Sequence, residues 1–281
     1  MACVALLGGL NADVLGHARG ALVPSDSNIG SVTLRAGGVA HNVAARLAAL
    51  GHRALLLAPK CRDALGEWLR ARCAEEGIDL SCALSSGAPS PVYMAIHGAD
   101  GDMALALNDT RAVECLLDRD WLAALGRLPG VDGYFVDTNL SGDSLKAVMP
   151  RLQGFVLLDP VSVEKAGRAG AVLPCVTAIK PNLLEARAMT GERAPADCAR
   201  ALLRRGVRQA FISLGADGVY ALDARGGELI PPEPFPHLTL TGAGDAMCAG
   251  LIDALLAGES AIAAARHGQA VARQFLEVKP S

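Results

Sequence analysis

Residues 133–160 read GYFVDTNLSGDSLKAVMPRLQGFVLLDP. Two short apolar runs, GYFVDT (133–138) and GFVLLDP (154–160), enclose residues 141–152, which we interpret as a helix. Buried strands that alternate with helices form β-α-β units, in which the strands run parallel. This stretch therefore predicts an α/β fold built on a mostly parallel sheet.

The same alternation extends over most of the chain. Apolar runs predict further strands, and Ala- and Leu-rich stretches predict further helices. The predicted strands are 3–9, 54–59, 178–182 and 210–215, and the predicted helices are 39–50, 64–76, 183–191 and 195–205. Strands that read as continuous apolar runs are typical of a parallel sheet covered on both faces.

Two segments, 12–35 and 88–108, break this rhythm. Both contain polar, glycine and β-branched residues, and they alternate in the manner of hairpins, as in PVYMAIHGADGDMALAL (91–107). We predict that they form a small antiparallel sheet attached to one large domain, which spans residues 1–281.

The composition excludes several classes of protein. The 281 residues are 51% hydrophobic and 20% charged, which is too apolar for a disordered chain. A chain of this length buries a core that needs no disulfide or metal to be stable. The net charge is −3 and basic residues do not cluster, so the sequence predicts neither a nucleic-acid partner nor a membrane surface.

The sequence also indicates a cytoplasmic protein. The N-terminal MACVALLGGLNAD has no basic region before its apolar run, so it is typical of a buried first strand rather than a signal peptide. No apolar span is long enough for a transmembrane helix. The eight cysteines form no C-x-x-C pair, which favours reduced thiols.

Two glycine clusters are the candidates for a site that binds an anion. The segment LTGAGDA (240–246) precedes a stretch with helical apolar spacing. Glycines directly before a helix free its first backbone N–H groups to face an anion, and the helix dipole adds to the attraction. Asp245 there is either a base for a hydroxyl group that attacks a phosphate or only a helix cap. The second cluster, GGVAHN (37–42), also opens a helix, and for it alone a tight strand–helix turn is the simpler interpretation.

Other nucleotide-binding motifs are absent from the sequence. It has no Walker A loop, no G-x-G-x-x-G and no protein-kinase signature. The missing G-x-G-x-x-G disfavours a nucleotide-dependent dehydrogenase on a doubly wound sheet.

The two clusters, taken with the segments between them, resemble the PfkB, or ribokinase-like, family of carbohydrate and nucleoside kinases. Asn11-Ala12-Asp13 resembles the family's N-x-D, Lys180-Pro181-Asn182-Leu183-Leu184-Glu185 its K-P-N-x-x-E, and SLGADG (213–218) its glycine turn beside the nucleotide. The resemblance implies a three-layer αβα domain with a small β-sheet lid formed by 12–35 and 88–108.

The resemblance also implies the site residues. Asp245 is the expected base, and the backbone amides of Gly242, Ala243 and Gly244 are the expected anion hole. The expected substrate-binding residues are Asn11, Asp13, Gly37, Gly38 and Asn42. The expected ATP-binding residues are Asn182, Glu185, Ser213, Gly215, Gly218, Thr241 and Gly268. Mg²⁺ is expected near Asn182 and Glu185, held by phosphates and water.

A finer resemblance is to the pseudouridine kinases. It rests on DSNIG (26–30), LND (107–109), DTNLS (137–141) and DPVSVEK (159–165), and it implies that Ser27, Asp109 and Lys165 lie near the substrate, with Ser27 and Lys165 at the nucleobase. A hydroxyl pairs with a ring N–H or a carbonyl, whereas an ammonium only donates. The alternatives are a turn serine and a solvated surface lysine.

The expected activity is phosphorylation of the 5′-hydroxyl of a nucleoside by ATP, with pseudouridine as the favoured substrate. The alternatives are another sugar or nucleoside kinase, acting on ribose, adenosine or a similar molecule, and a catalytically silent nucleoside-binding protein. Thr239 stands where the family usually has an Asp of a monovalent-cation site, so potassium dependence is open. We expect His41 to be a surface helix histidine, and we consider a homodimer through the lid as well as a monomer.

Overall fold

The computed structural model describes residues 1–232 and 242–278. In these ranges the apolar runs that were predicted as strands do form strands. The strands are Cys3–Leu7 (β1), Asn11–Ala18 (β2), Gly30–Gly37 (β3), Arg53–Leu57 (β4), Pro59–Lys60 (β5), Ile78–Asp79 (β6), Leu84–Ser85 (β7), Val92–His97 (β8), Met103–Asp109 (β9), Gly133–Asp137 (β10), Phe155–Asp159 (β11), Ala178–Ile179 (β12), Gln209–Ser213 (β13), Val219–Asp223 (β14) and Gly226–Ile230 (β15).

The helices lie between these strands and after them. They are Val39–Ala49 (α1), Ala64–Glu75 (α2), Arg111–Glu114 (α3), Asp118–Leu125 (α4), Gly142–Val148 (α5), Val163–Ala166 (α6), Leu183–Thr190 (α7), Pro195–Arg204 (α8), Ala243–Leu256 (α9) and Ala261–Val278 (α10). None of the helices in the described ranges is long and apolar enough to span a bilayer.

The large sheet confirms the predicted α/β fold. Its nine strands follow the order β15-β14-β13-β12-β11-β10-β1-β4-β6. The seven strands from β13 to β6 run parallel, and β14 and β15 extend one edge in antiparallel pairing.

Helices cover both faces of this sheet. Side chains of β1 alternate between two cores, because successive residues of a strand point to opposite faces. Val4 and Leu6 pack in the core that contains α1, α2, α9 and α10. Ala5 and Leu7 pack in the core that contains α4, α5, α7 and α8. The three-layer αβα architecture is therefore confirmed.

The two segments that break the rhythm form a separate four-stranded sheet in the order β3-β2-β8-β9, which we call the lid. The prediction that it is wholly antiparallel was wrong, because its central strands β2 and β8 pair in parallel. Parallel pairing needs a long connection, and residues 19–91, which include β3 and two helices, connect β2 to β8. The N–H of Ala12 donates to the Pro91 carbonyl (2.9 Å) where β8 enters the lid.

Candidate active site

The candidate site lies at the carboxyl ends of the central parallel strands, where open α/β sheets bind their ligands. Four consecutive strands of the sheet end there with short polar or glycine segments. These are Gly8-Gly9 after β1, Asp137 at the end of β10, Asp159 at the end of β11 and Lys180 after β12. Helices α1, α7 and α9 begin at the same edge of the sheet.

The first turn of α9 contains the residues that were predicted to bind an anion. Gly242 precedes the helix with φ +87°, a left-handed conformation that glycine adopts without a Cβ clash. Its successors Ala243, Gly244 and Asp245 are the first three residues of α9. A Cβ at position 242 would also collide with the ring of Phe275, which belongs to α10. Thr239 and Thr241, predicted for the cation and nucleotide sites, lie outside the described residues.

Asp245 joins the two glycine clusters. The side-chain amide of Asn42, on α1, donates through Nδ2 to Oδ2 of Asp245 (2.7 Å). Burial raises the pKa of Asp245 to about 6, although the hydrogen bond from Asn42 and the charge of Lys180 favour its ionised form. The structure thus places a carboxyl group with a pKa near neutrality at a helix N-terminus.

The turn at Gly38 brings the substrate-binding candidates together. Gly38 has φ +98°, and a Cβ there would collide with the carbonyl of Gly9 and with Oδ1 of Asn11. Asn11 donates from Nδ2 to Oδ1 of Asp13, and the Asp13 carboxylate lies against Gly37. Burial raises the pKa of Asp13 to about 6, while the charge of His41 and the hydrogen bond from Asn11 oppose that rise.

A cavity of about 270 Å³ opens between the lid and the sheet edge. It is lined by Gly9, Leu10, Asn11, Asp13, Gly38, Val39, Asn42, Pro91, Tyr93, Asn108, Thr110, Val113, Asn139, Val161 and Lys165. Five of the predicted substrate-binding residues are therefore in one cavity: Asn11, Asp13, Gly38, Asn42 and Lys165.

Ser27 and Asp109 are not among the residues that line this cavity. Ser27 is exposed in the connection between β2 and β3, and its backbone N–H donates to Oδ1 of Asp26 (2.7 Å). Asp109 pairs with Arg111 (Nη2 to Oδ2, 2.6 Å), and this hydrogen bond lowers the pKa of Asp109 to about 2. Their roles at the substrate stay predictions.

The surroundings of Lys165 were not predicted from the sequence. The Asp137 carboxylate is fully buried and accepts hydrogen bonds from the backbone N–H groups of Gly9 (2.9 Å), Ala40 (3.1 Å) and Asn139 (2.9 Å). Asn139 in turn accepts a hydrogen bond at Oδ1 from Nζ of Lys165 (2.7 Å). The polar D-T-N directly after a buried strand is the signal that would have found Asp137 and Asn139.

The lid supplies three further cavity residues that sequence reasoning missed. Tyr93 on β8 pairs in register with Asp13 on β2 and with Asn108 on β9, so the three side chains share one face of the lid. Thr110 follows β9 and also lines the cavity. The alternation within the lid strands is the signal for this shared face.

A buried ion pair lies beside the first turn of α9. Nζ of Lys180 is 3.1 Å from Oδ2 of Asp159, and both side chains are almost wholly buried. Burial alone would lower the pKa of Lys180, but the Asp159 carboxylate outweighs this effect and raises it. A Cβ at Gly244 would be 3.4 Å from the same ammonium, so a buried positive charge lies beside the first turn of α9.

The predicted nucleotide-side residues lie along the neighbouring strands. Asn182 and Glu185 form a capping box at the start of α7, in which each side chain accepts a hydrogen bond from the backbone N–H of the other. Ser213 forms an isolated parallel bridge with Asn182, and Gly215 and Gly218 shape the turn after β13.

Gly268 lies elsewhere in the fold. It is on α10, against Met247 and Gly250 of α9, so it permits close approach of these two helices. Its predicted contact with ATP stays a prediction.

His41 differs from its prediction as a surface residue. Its side chain is buried between α1 and the end of α2, where it pairs with Glu76. Residues three apart share a helix face, so position 41 lies beside the buried residue Ala44. This periodicity could have indicated from the sequence that His41 is buried.

A comparison with known proteins identifies the family of this chain. The model of the pfkB family carbohydrate kinases matches residues 1–279, and the chain belongs to this family. The protein is therefore a sugar or nucleoside kinase, which transfers phosphate to an alcohol group.

Individual relatives cover most of the chain. A pseudouridine kinase from Escherichia coli (strain K12) is 31% identical over 257 residues, which are 88% of this chain and 82% of that protein. An uncharacterized sugar kinase from the same organism is 32% identical and covers 96% of this chain and 76% of its own length. A solved carbohydrate kinase from Agrobacterium tumefaciens superposes with a TM-score of 0.86 at 27% identity, over 99% of this chain and 92% of that one.

Proposed function

We propose that the protein phosphorylates the 5′-hydroxyl of a nucleoside with ATP, and that its preferred substrate is pseudouridine. The observation that carries this proposal is the set of residues that line one cavity. The sugar-binding candidates Asn11 and Asp13 line it together with Asn42, which donates a hydrogen bond to Asp245. The half-buried Lys165 lines the same cavity, and its ammonium is a suitable donor to a carbonyl oxygen of a nucleobase. The similarity to a pseudouridine kinase supports the same substrate.

In this proposal the sugar is held by Asn11, Asp13 and the backbone at Gly38, which orient the 5′-hydroxyl toward the start of α9. Positioning supplies much of the acceleration in phosphoryl transfer, because the transition state needs little covalent help. Asp245 accepts the proton of that hydroxyl. The backbone N–H groups of residues 242–244 stabilise the negative charge of the transferring phosphoryl group.

The nucleobase is recognised by Lys165. Its ammonium donates to a carbonyl oxygen of the base, and Asn139 holds the lysine at the cavity wall. Burial lowers the pKa of Lys165, while the charge of Asp137 opposes that change. Pseudouridine and uridine present the same two carbonyls, but only pseudouridine has a second ring N–H, for which Ser27 is the proposed acceptor. Asp109 is a further proposed substrate-binding residue.

ATP is proposed to lie beside α7 and the turn after β13, in contact with Ser213, Gly215, Gly218, Thr241 and Gly268. Both oxygens of the Glu185 carboxylate already accept hydrogen bonds from Asn182. Asn182 and Glu185 would therefore hold Mg²⁺ through bridging water molecules. When bound, the ion neutralises charge on the phosphates.

The lid is proposed to close over the sugar and to join two copies of the chain in a homodimer. Its inner face carries Asp13, Tyr93 and Asn108, and its outer face is apolar and exposed. Closure excludes water from the phosphate, which limits wasteful ATP hydrolysis.

A substrate panel tests the proposed function. ADP release is measured with pseudouridine, uridine, adenosine and ribose at equal concentrations, and the product is located by ³¹P NMR. We expect the largest kcat/KM with pseudouridine and a phosphate on the 5′-oxygen. A larger value with ribose or adenosine would contradict the proposed substrate, and nucleoside binding without ADP formation from any of the four would favour the silent alternative.

Asp245→Asn tests the base. The amide preserves the size of the side chain, so the variant should fold like the wild type, with an unchanged Tm. We expect kcat to fall about 10²- to 10⁴-fold, the usual contribution of a general base, with a much smaller change in KM for ATP. A turnover close to that of the wild type would show that Asp245 is only a helix cap.

A further inference from the structure

His41 lies in the first turn of α1 beside Asn42, and it is only 2% exposed. Its Nε2 is 2.8 Å from Oε2 of Glu76, the residue that directly follows α2, and its Nδ1 is 3.2 Å from Oδ1 of Asn42. Asn42 donates in turn to Asp245 at 2.7 Å. Four side chains thus form one hydrogen-bonded line from Glu76 to Asp245.

The acceptors at the two ends determine where the hydrogens of this line lie. A carboxylate only accepts, so Asn42 presents its N–H to Asp245 and turns its carbonyl oxygen toward His41. Nδ1 of His41 must then carry a hydrogen, and Nε2 must carry another because it faces Glu76. The line is complete only when His41 is a doubly protonated imidazolium.

We propose that His41 is a positioning residue, which locks the Asn42 amide in the orientation that donates to Asp245 and so aims the catalytic carboxylate. The proposal rests on the role of Asp245 as the base. A neutral His41 that keeps its hydrogen on Nε2 presents an acceptor to the carbonyl oxygen of Asn42. Rotation of the amide relieves that contact, but it turns the carbonyl oxygen toward the Asp245 carboxylate and leaves the base misdirected.

The charges around the line support this state of His41. Burial alone would lower the pKa of His41, but Cys73 and Glu76 outweigh it and raise the pKa to about 9. From the lid strand β2, the carboxyl group of Asp13 also interacts with the imidazolium. The groups that face Asp245 are Asn42, Asp159, Lys180, Asp137 and Arg46.

Glu76→Gln is the milder test, because Gln still accepts from Nε2 but no longer stabilises the charge of the ring. The alkaline limb of the kcat profile, expected near pH 9 in the wild type, should move toward neutral pH. At pH 8 we expect kcat to fall about 10-fold, the size of effect that a small misplacement of a catalytic group produces. The KM for ATP should be unchanged.

His41→Leu and His41→Arg form the second test. Leu removes both donors and should lower kcat at least as much as Glu76→Gln does. Arg keeps a charge and has enough donors for Glu76 and Asn42, so it should recover most of the lost activity. A structural role alone would give no such recovery in kcat at equal Tm.

His52→Gln is the matched control. His52 pairs with Asp253 (Nε2 to Oδ1, 3.0 Å) and is also largely buried, but it lies outside the candidate site. This variant should lose stability without any change in the pH profile. Variants at positions 41 and 76 whose pH profiles match that of His52→Gln would overturn the proposal.

¹⁵N NMR of the histidine rings separates this proposal from the proposed function, because it needs no substrate. We expect both ring nitrogens of His41 to be protonated at pH 7, and the Asn42 side-chain amide to shift at the pH where His41 titrates. A neutral His41 at pH 7 would overturn the positioning role even if the substrate panel succeeds. A protonated ring with coupled Asn42 would support it even if the preferred substrate is a sugar.

Discussion

Lys165 is the residue whose substitution best separates nucleobase recognition from phosphate transfer. Lys165→Met keeps most of the apolar side chain and removes the ammonium that Asn139 holds. We expect KM for pseudouridine to rise about 10-fold, as when one hydrogen bond from a charged donor is lost, while KM for ATP stays constant. Steady-state kinetics with each substrate varied in turn measures both values.

Asn139→Leu should produce the same asymmetry, because it frees the ammonium from its position at the cavity wall. Lys146→Met is the control, since Lys146 is exposed and pairs with Asp143 on its own helix. Equal changes in the two KM values for Lys165→Met would show that the lysine does not read the base.

The residues that could be predicted from the sequence are those whose role depends on their immediate neighbours. The glycines before Asp245 and Asn42 indicated two helix starts, and the family resemblance then implied roles for both residues. His41 and Asn139 depend on Glu76 and Lys165, which only the packing of separate elements brings near. A single sequence indicates that His41 is buried and that a polar segment ends β10, but it does not indicate which side chains pair with His41 and Asn139.

At the scale of elements, the predicted helices and strands occur close to their expected bounds. Helix α5 is shorter than the predicted 141–152, since Pro150 has no N–H and the chain continues as a 3₁₀ turn over Met149–Arg151. The pairing of β2 with β8 was predicted incorrectly, because the alternation of a strand shows which face is apolar but not which strand lies beside it.

The start of α7 combines a structural and a proposed catalytic role. Asn182→Ala removes the side chain that accepts from the N–H of Glu185. We expect the free energy of unfolding to fall by about 1 kcal/mol, the usual effect of losing an N-cap, and KM for MgATP to rise as Glu185 loses its orientation. Urea denaturation and steady-state kinetics measure the two effects.

Ser260→Ala is the matched control for this prediction. The Ser260 side chain accepts from the N–H of Ala263 at the start of α10 and lies outside the candidate site. This variant should lose similar stability and keep its KM for MgATP. An unaltered KM in Asn182→Ala would confine Asn182 to capping.

At the scale of the whole molecule, the lid has two different faces: one lines the cavity, and the opposite face is apolar. Leu34, Val14, Met94 and Leu107 lie side by side across the four strands, on the face opposite the cavity. The next row on that face is Val32, Gly16, Ile96 and Leu105. Val32, Leu105 and Leu107 are 74%, 57% and 65% exposed. An apolar sheet face of this kind is typical of an interaction surface.

Leu107→Glu tests whether this face joins two copies of the chain. A charge on this face must be desolvated in a lid-to-lid contact, so we expect the wild type to sediment as a dimer and the variant as a monomer. Analytical ultracentrifugation over a range of protein concentrations measures the change. Leu229→Glu is the control, because Leu229 is 51% exposed on β15, at the edge of the other sheet, and this variant should remain dimeric. If the wild type sediments as a monomer at every concentration, or if Leu107→Glu remains dimeric, the lid does not carry the dimer, and its apolar face then requires a different partner.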